Sequence, residues 1–190
     1  APMTLYAATK KANEAMAHSY AHLHGIPTTM FRFFTVYGPW GLPDMALFRF
    51  TKGVLEGVPI DIYNDGKMFR DFTFVADLVR GIELLIDQPP QPANADRTMI
   101  ANDSLSPNAP FRVVNIGNGD KVGLVDFIEA IEAACGRKAI KNFMPMQKGD
   151  VPATWADNAL LLELTGYTPE TGVREGVKQF VDWYREYYEV

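Results

Sequence analysis

The sequence predicts an α/β fold, and three observations predict it. Segments with apolar residues every three or four positions alternate with short runs rich in β-branched and aromatic residues. Glycine and proline punctuate the boundaries between them. The 190 residues are 47% hydrophobic and 22% charged, which is enough apolar material for one compact core and too ordinary a balance for a disordered chain.

The elements follow in order. A helix is expected from Leu5 to about Leu23, where Ala, Lys, Glu and Met dominate and Leu5, Ala12, Met16, Tyr20 and Leu23 form an apolar stripe. Gly25 and Pro27 end it. TTMFRFFTVYG (28–38) reads as one strand stopped by Gly38-Pro39. After the loop GPWGLPD, MALFRFTKGVLEG reads as a helix with Asp44 as N-cap. IDIY and MFRDFTF read as strands joined through Asn64-Asp65-Gly66, a hairpin-type turn. VADLVRGIELLID (75–87) is a third helix. Residues 88–110, with five prolines, read as a loop too polar to add to the core. FRVVNIG is a strand, LVDFIEAIEAACG a helix, KAIKNFMPM a strand and DNALLLELTG a short helix. The last helix, about 172–187, sets Val173, Val177, Phe180, Val181 and Tyr184 on one side.

Composition narrows the function classes. A net charge of −5 without a Lys/Arg block argues against nucleic-acid binding. The single cysteine, Cys135, rules out an internal disulfide framework and a cysteine-rich zinc site, and it fits a reducing cytoplasm. Lying in an apolar helical run, Cys135 reads as a buried structural thiol. No apolar run is long enough to span a bilayer. His18 and His22 are four apart, with His24 close behind, but no third metal ligand is placed near them and a solvated helix end explains all three.

Gly117-x-Gly119-x-x-x-Gly123 lies between a strand and a helix, near dinucleotide-fingerprint spacing. The fingerprint also needs an acidic residue closing the next strand, and KAIKNFMPM has none. The pattern reads as a strand-to-helix turn, or as a turn that touches a ligand without being a fingerprint.

Tyr6 and Lys10 share a helical face. An ammonium beside a phenol favours phenolate, so the pair could exchange a proton with a substrate hydroxyl. Spacing alone favours two ordinary surface residues; Thr9 and Lys11 flanking Lys10 make the pattern more specific, and Asn13 fits either reading.

YAATKKANE, RFFTVYGPWG, PDMALFRFTK, DGKMFRDFTFVADLVRGI, VVNIGNG and GDVPATWAD, in that order, resemble the extended short-chain dehydrogenase/reductase family, and within it the NAD-dependent UDP-glucuronate 4-epimerase-like enzymes. The resemblance covers nearly the whole chain. It implies a nucleotide-sugar epimerase that oxidises C4 of a UDP-sugar on bound NAD, lets the keto-sugar rotate, and reduces it on the other face. It implies Tyr6 as acid/base and Lys10 as the lysine that holds cofactor ribose and lowers the tyrosine pKa, both touching the cofactor. Phe34 would border nicotinamide, and Thr35 the sugar. Ala46, Leu47 and Phe48 would border uracil, Arg70 would pair with the diphosphate, and Asp150 would hold the uridine ribose. No metal is implied, and a homodimer is.

Two departures matter. The family's Gly-rich nucleotide-binding half and its Ser/Thr catalytic partner are not among these residues. The chain is therefore expected to be the C-terminal part of a Rossmann-type enzyme, inactive by itself. Residues 1–40 would end the NAD domain and 41–190 would mainly bind nucleotide-sugar, with 60–87 and 111–116 returning to the sheet. Second, Leu42 stands where the uronate epimerases carry an arginine for the sugar carboxylate, and Lys52 is a substitute by charge alone. A nucleotide-sugar 4,6-dehydratase and a non-catalytic assembly module are the alternatives.

Overall fold

The computed structural model describes residues 2–91, 100, 103–147 and 149–190. Helix α1 (Leu5–His24) starts at Thr4, whose hydroxyl oxygen accepts from the Ala7 amide at 3.1 Å, and ends at Gly25, left-handed at φ 63°. The expected apolar stripe is not the face it buries. Leu5, Met16, Tyr20 and Leu23 are 83%, 58%, 65% and 73% exposed. The packed face carries Ala17 and Ala21, set against Ala109 and Phe111. Small side chains bring the helix close to the strands beneath it, and the larger apolar residues face away.

Strand β1 (Thr28–Phe33) pairs in parallel with β6 (Phe111–Ile116), Thr28 opposite Phe111. The expected single strand over 28–38 is divided at Phe34, whose carbonyl accepts from the Val36 amide at 2.9 Å. Beyond it, β2 (Thr35–Tyr37) changes partner and pairs in parallel with β5 (Phe72–Phe74).

Helix α2 (Ala46–Glu56) is preceded by Met45 with no side-chain cap, so Asp44 does not cap it. The hairpin expected at Asn64-Asp65-Gly66 is also corrected. Those residues form a 3-10 turn with Asn64 and Asp65 at φ 53° and 50°. Strand β3 (Ile60–Tyr63) instead pairs in parallel with β8 (Lys141–Met144). Strand β4 (Phe69–Arg70) lies in another sheet, between antiparallel β7 (Val122–Gly123) and parallel β9 (Ala153–Thr154). Burial explains the choice: β3 alternates, and Ile60 and Ile62 enter the core at 4% and 0% exposure.

Four more helices complete the chain: α3 (Val75–Ile86), α4 (Leu124–Cys135), α5 (Ala159–Thr165) and α6 (Val173–Tyr188). The largest core joins α2, α4 and α6 to β2, β3 and β5. Phe72 and Phe127 stack at its centre, 3.8 Å apart and nearly parallel at 1°. The stripe expected on α6 is where the sequence puts it, with Val177, Phe180, Val181 and Tyr184 buried. Gly176 lets α6 approach, because any Cβ there would overlap the Tyr37 hydroxyl. A second core sets α3 and α5 against β6 through Leu78, Leu85, Val114, Ile116, Leu161 and Leu164.

The 88–110 segment is not the core-free loop expected. Residues 92–99, 101 and 102 lie outside the described residues. Of the rest, Ala109 and Ser106 are buried, and Asp103 forms a two-pronged ion pair with Arg112, both side chains under 10% exposed (8% and 7%). The fold class is corrected as well. A helix-covered parallel sheet is built from the first residues onward, with α1 on the β1–β6 pair, so a remnant without such an opening unit does not describe this chain.

Candidate active site

Tyr6 and Lys10 project from the first half of α1, and Tyr6 is 72% exposed. The Lys10 ammonium lies over the Tyr6 ring, 5.2 Å from its centre, so it meets the ring face. Among the described residues Lys10 forms no ion pair. Both line an open depression of about 430 Å³ with Ala7, Lys11, Glu14 and Arg32.

Glu14 and Arg32 are residues that sequence reasoning missed. Arg32 Nε and Nη2 donate to the two Glu14 carboxylate oxygens at 2.7 and 2.8 Å, and Lys11 Nζ donates to one of them at 2.6 Å. The arginine hydrogen bonds hold the Glu14 carboxyl at about 2, against a smaller opposing effect of burial and with help from Lys11. This clip ties α1 to β1 beneath the tyrosine. An arginine inside the apolar run TTMFRFF was the available signal, since a charge on a strand calls for a partner.

Because the Glu14 pKa is lower folded than unfolded, the clip stabilises the protein above about pH 4.5 and is lost as the pH falls toward about 2. Wild type should therefore melt about 1–3 °C above Glu14→Gln at pH 6, as an ion pair whose arginine side chain stays 49% exposed allows. Melting curves from pH 6 to pH 3 should show that gap closing, and a pH-independent gap would contradict the clip.

Thr35, Ala46, Leu47 and Phe48 come together, lining a cleft of about 50 Å³ that Leu42 and Met45 complete. Every side chain lining it is uncharged. The cleft lies behind a loop in which Trp40 adopts φ 64° and stands 73% exposed against Trp183 and Tyr187. Lys52, offered as a substitute cation, is not in this lining and faces Glu56 at 3.9 Å.

Arg70 and Asp150 meet across 80 positions, with Arg70 Nη2 donating to Asp150 Oδ1 at 2.7 Å. Arg70 Nη1 also donates to the Phe69 carbonyl, and Asp150 accepts from the Val151 amide. Phe34 stands half-buried at the switch between β1 and β2. The tyrosine depression and the Thr35 cleft share no lining residue.

Of the three histidines, His24 is exposed as a solvated helix end would have it, whereas the other two are tied to the 106–108 segment. His18 Nε2 bonds the Ser106 hydroxyl at 2.8 Å, and His22 Nδ1 donates to the Asn108 carbonyl at 2.6 Å. Cys135 is buried and unpaired, and burial pushes its thiol pKa up. Among the described residues no cluster of His, Cys, Asp or Glu could hold a metal ion, and no helix is long and apolar enough to cross a membrane.

The profile of the NAD dependent epimerase/dehydratase family matches residues 1–101, more than half of the chain. The chain belongs to the NAD dependent epimerase/dehydratase family. Among its relatives in this epimerase/dehydratase family, a probable UDP-glucuronate 4-epimerase of Rhizobium meliloti (strain 1021) is 58% identical over 98% of this chain and 55% of its own length. The UDP-glucuronic acid 4-epimerase of Bacillus cereus, solved with UDP-glucuronic acid and NAD, superposes at a TM-score of 0.82 with 31% identity, over 99% of this chain and 55% of that one. MoeE5, solved with UDP-glucuronic acid and NAD, gives 0.82 and 32% over 98% and 57%.

This chain thus spans about half the length of the relatives it matches. Within it the likeness runs from end to end, and the family profile begins at residue 1. That finding overturns the expectation of a C-terminal part set apart from the Rossmann-type half: α1 and β1 share the epimerase/dehydratase fold with the rest of the chain.

Proposed function

We propose that this chain serves an NAD-dependent nucleotide-sugar 4-epimerase whose substrate is a UDP-sugar. The observation that carries the reading is the Tyr6–Lys10 face: a phenol and an unpaired ammonium, four residues apart on one exposed helical surface. Family membership supports it, as do the epimerases that the chain resembles along its full length.

The residues fit NAD. An exposed ammonium with no carboxylate partner can donate to ribose hydroxyls, and the open depression leaves room for a ligand beside the phenol. The chemistry NAD supplies when bound is reversible hydride exchange at C4 of the sugar. Tyr6 takes the proton of the C4 hydroxyl and returns it, acting as base and then acid. Lys10 holds the ribose. Phe34 is the residue bordering nicotinamide. Arg70 offers a fork of donors to the diphosphate, and Asp150 accepts from the uridine ribose, so nucleotide entry divides a pair that now satisfies itself. Ala46, Leu47 and Phe48 border the uracil and Thr35 the sugar. In this reading residues 1–40 belong to the NAD side and 41–190 mainly to the nucleotide-sugar side, and the pairing of β6 with β1 supports the return of 111–116 to the sheet.

Leu42 bears on the sugar. A carboxylate placed in the uncharged cleft would lose hydration without gaining a partner. The exposed Met16, Tyr20 and Leu23 support self-association as a homodimer, and one buried, unpaired cysteine supports a cytoplasmic location.

The test is a product assay on the protein as its gene encodes it, with NAD and either UDP-glucose or UDP-glucuronate. Appearance of the C4 epimer is expected. A released 4-keto-6-deoxy sugar would establish a dehydratase, and the absence of any product would overturn the epimerase. In the same assay Arg70→Ala should raise KM roughly 10- to 100-fold, the loss of a charge-assisted contact.

A further inference from the structure

Asp71 is fully buried, and among the described residues no cation pairs with it. Its charge is satisfied by four neutral donors instead. Oδ1 accepts from the Asn118 amide at 2.8 Å and the Thr73 hydroxyl at 3.0 Å. Oδ2 accepts from the Gly119 and Ala156 amides, each at 2.9 Å. The Gly117-x-Gly119 turn is therefore an anion-holding turn, and the anion it holds belongs to this chain. Gly117 is required because a Cβ there would stand 2.6 Å from Asp71 Oδ2 and from the Ala156 side chain. Gly119, at φ 86°, supplies the turn that aims its amide.

The main chain of Asp71 reaches further. Its carbonyl accepts from the Thr35 amide at 3.0 Å, and its amide donates to the Thr154 carbonyl at 2.9 Å. Arg70 precedes it, and Phe69 donates to the Pro152 carbonyl at 2.8 Å, two residues past Asp150. One buried carboxylate thus stands where β2, β4, the turn after β6 and the 150–156 segment converge.

We propose that Asp71 is a positioning residue for nucleotide-sugar binding: its carboxylate locks the 117–119 turn and Ala156 to the strand that carries Arg70, and so holds Thr35, Arg70 and Asp150 in register. This rests on the substrate roles proposed above for those three residues. Asp71 itself touches no substrate. A carboxylate suits the task because it is acceptor-only, whereas an amide would turn a donor toward two amides or toward an amide and a hydroxyl.

The test compares Asp71→Asn, Thr73→Val, Thr73→Ser, Arg70→Ala and Leu85→Ala, the last a destabilised control in the core that sets α3 and α5 against β6. Readouts are calorimetric titration with UDP, KM and kcat, and amide hydrogen exchange, all at a temperature where each variant is folded. Asp71→Asn should weaken UDP binding and raise KM about 10-fold, change kcat less than about threefold, and speed exchange at Thr35 and 150–156 about 10-fold or more. Leu85→Ala should match its loss of melting temperature without moving KM. If Asp71→Asn does not fold, Thr73→Val decides. It should raise KM about threefold and speed exchange at 150–156, with Thr73→Ser near wild type. Unchanged exchange at Thr35 and 150–156 in the folded Asp71 or Thr73 variants would overturn the proposal, as would an unchanged KM while Arg70→Ala raises it. If exchange accelerates while Arg70→Ala binds UDP as wild type does, the positioning stands and the assignment of Arg70 is the one that fails.

Discussion

Tyr6→Phe is expected to lower turnover by about 10²- to 10⁴-fold, the usual contribution of a positioned proton donor and acceptor. The substitution removes one oxygen from a side chain that is 72% exposed, so the core does not feel it. The ring remains, and with it the surface over which the Lys10 ammonium sits at 5.2 Å, so Lys10 keeps its place. Affinity for UDP should not change, since Arg70, Asp150 and the Thr35 cleft share no lining or bond with Tyr6. The loss should therefore fall on kcat with the melting temperature intact. Turnover within a few-fold of wild type would remove Tyr6 from the mechanism.

Asp103→Ala should cost about 3–5 kcal/mol of stability, because it leaves the Arg112 guanidinium buried without its counter-charge. Arg112 is 6% exposed, and its Nε and Nη2 each donate to Asp103 at 2.9 Å. Among the described residues the contact that remains, from Nη1 to the Gln88 carbonyl at 3.3 Å, is neutral and long. For a chain of this size that stability change is a drop of roughly 6–20 °C in melting temperature. Lys178–Asp182 is the contrast: its side chains are 69% and 57% exposed, and Asp182→Ala should cost under about 1 kcal/mol. Replacing both partners by Asp103→Leu with Arg112→Met should recover most of the loss, since the penalty lies in the stranded charge. Calorimetric melts of the three variants check all of this, and equal costs for Asp103→Ala and Asp182→Ala would refute it.

Local periodicity made the helices legible, and α6 buries the residues its pattern names. The same reasoning misjudged α1, where the apolar stripe is exposed and two alanines make the contact. Periodicity measures side-chain apolarity, whereas close approach to a strand rewards small size. Pairing was not legible either. Asn64-Asp65-Gly66 carries hairpin chemistry, yet β3 takes its partner from about 80 residues away, and nothing near the turn encodes that. The polar 88–110 segment was read as outside the core because its partners, Arg112 and α1, lie elsewhere in the chain. At the site, ordered motif blocks made Tyr6, Lys10 and Arg70 visible. Spacing could not show that Glu14 and Arg32 clip α1 to β1, or that the Gly117-x-Gly119 turn already holds the Asp71 carboxylate.

The open setting of Tyr6 and Lys10 bears on how strongly one can act on the other. Two charges a few ångströms apart interact roughly fourfold more strongly at an effective dielectric constant of about 20 than in bulk water. On this surface the phenol and the depression beside it are open to water, which screens any charge that enters. A surface or ligand that covers the depression would expel that water and strengthen every electrostatic contact made inside it, without moving either side chain.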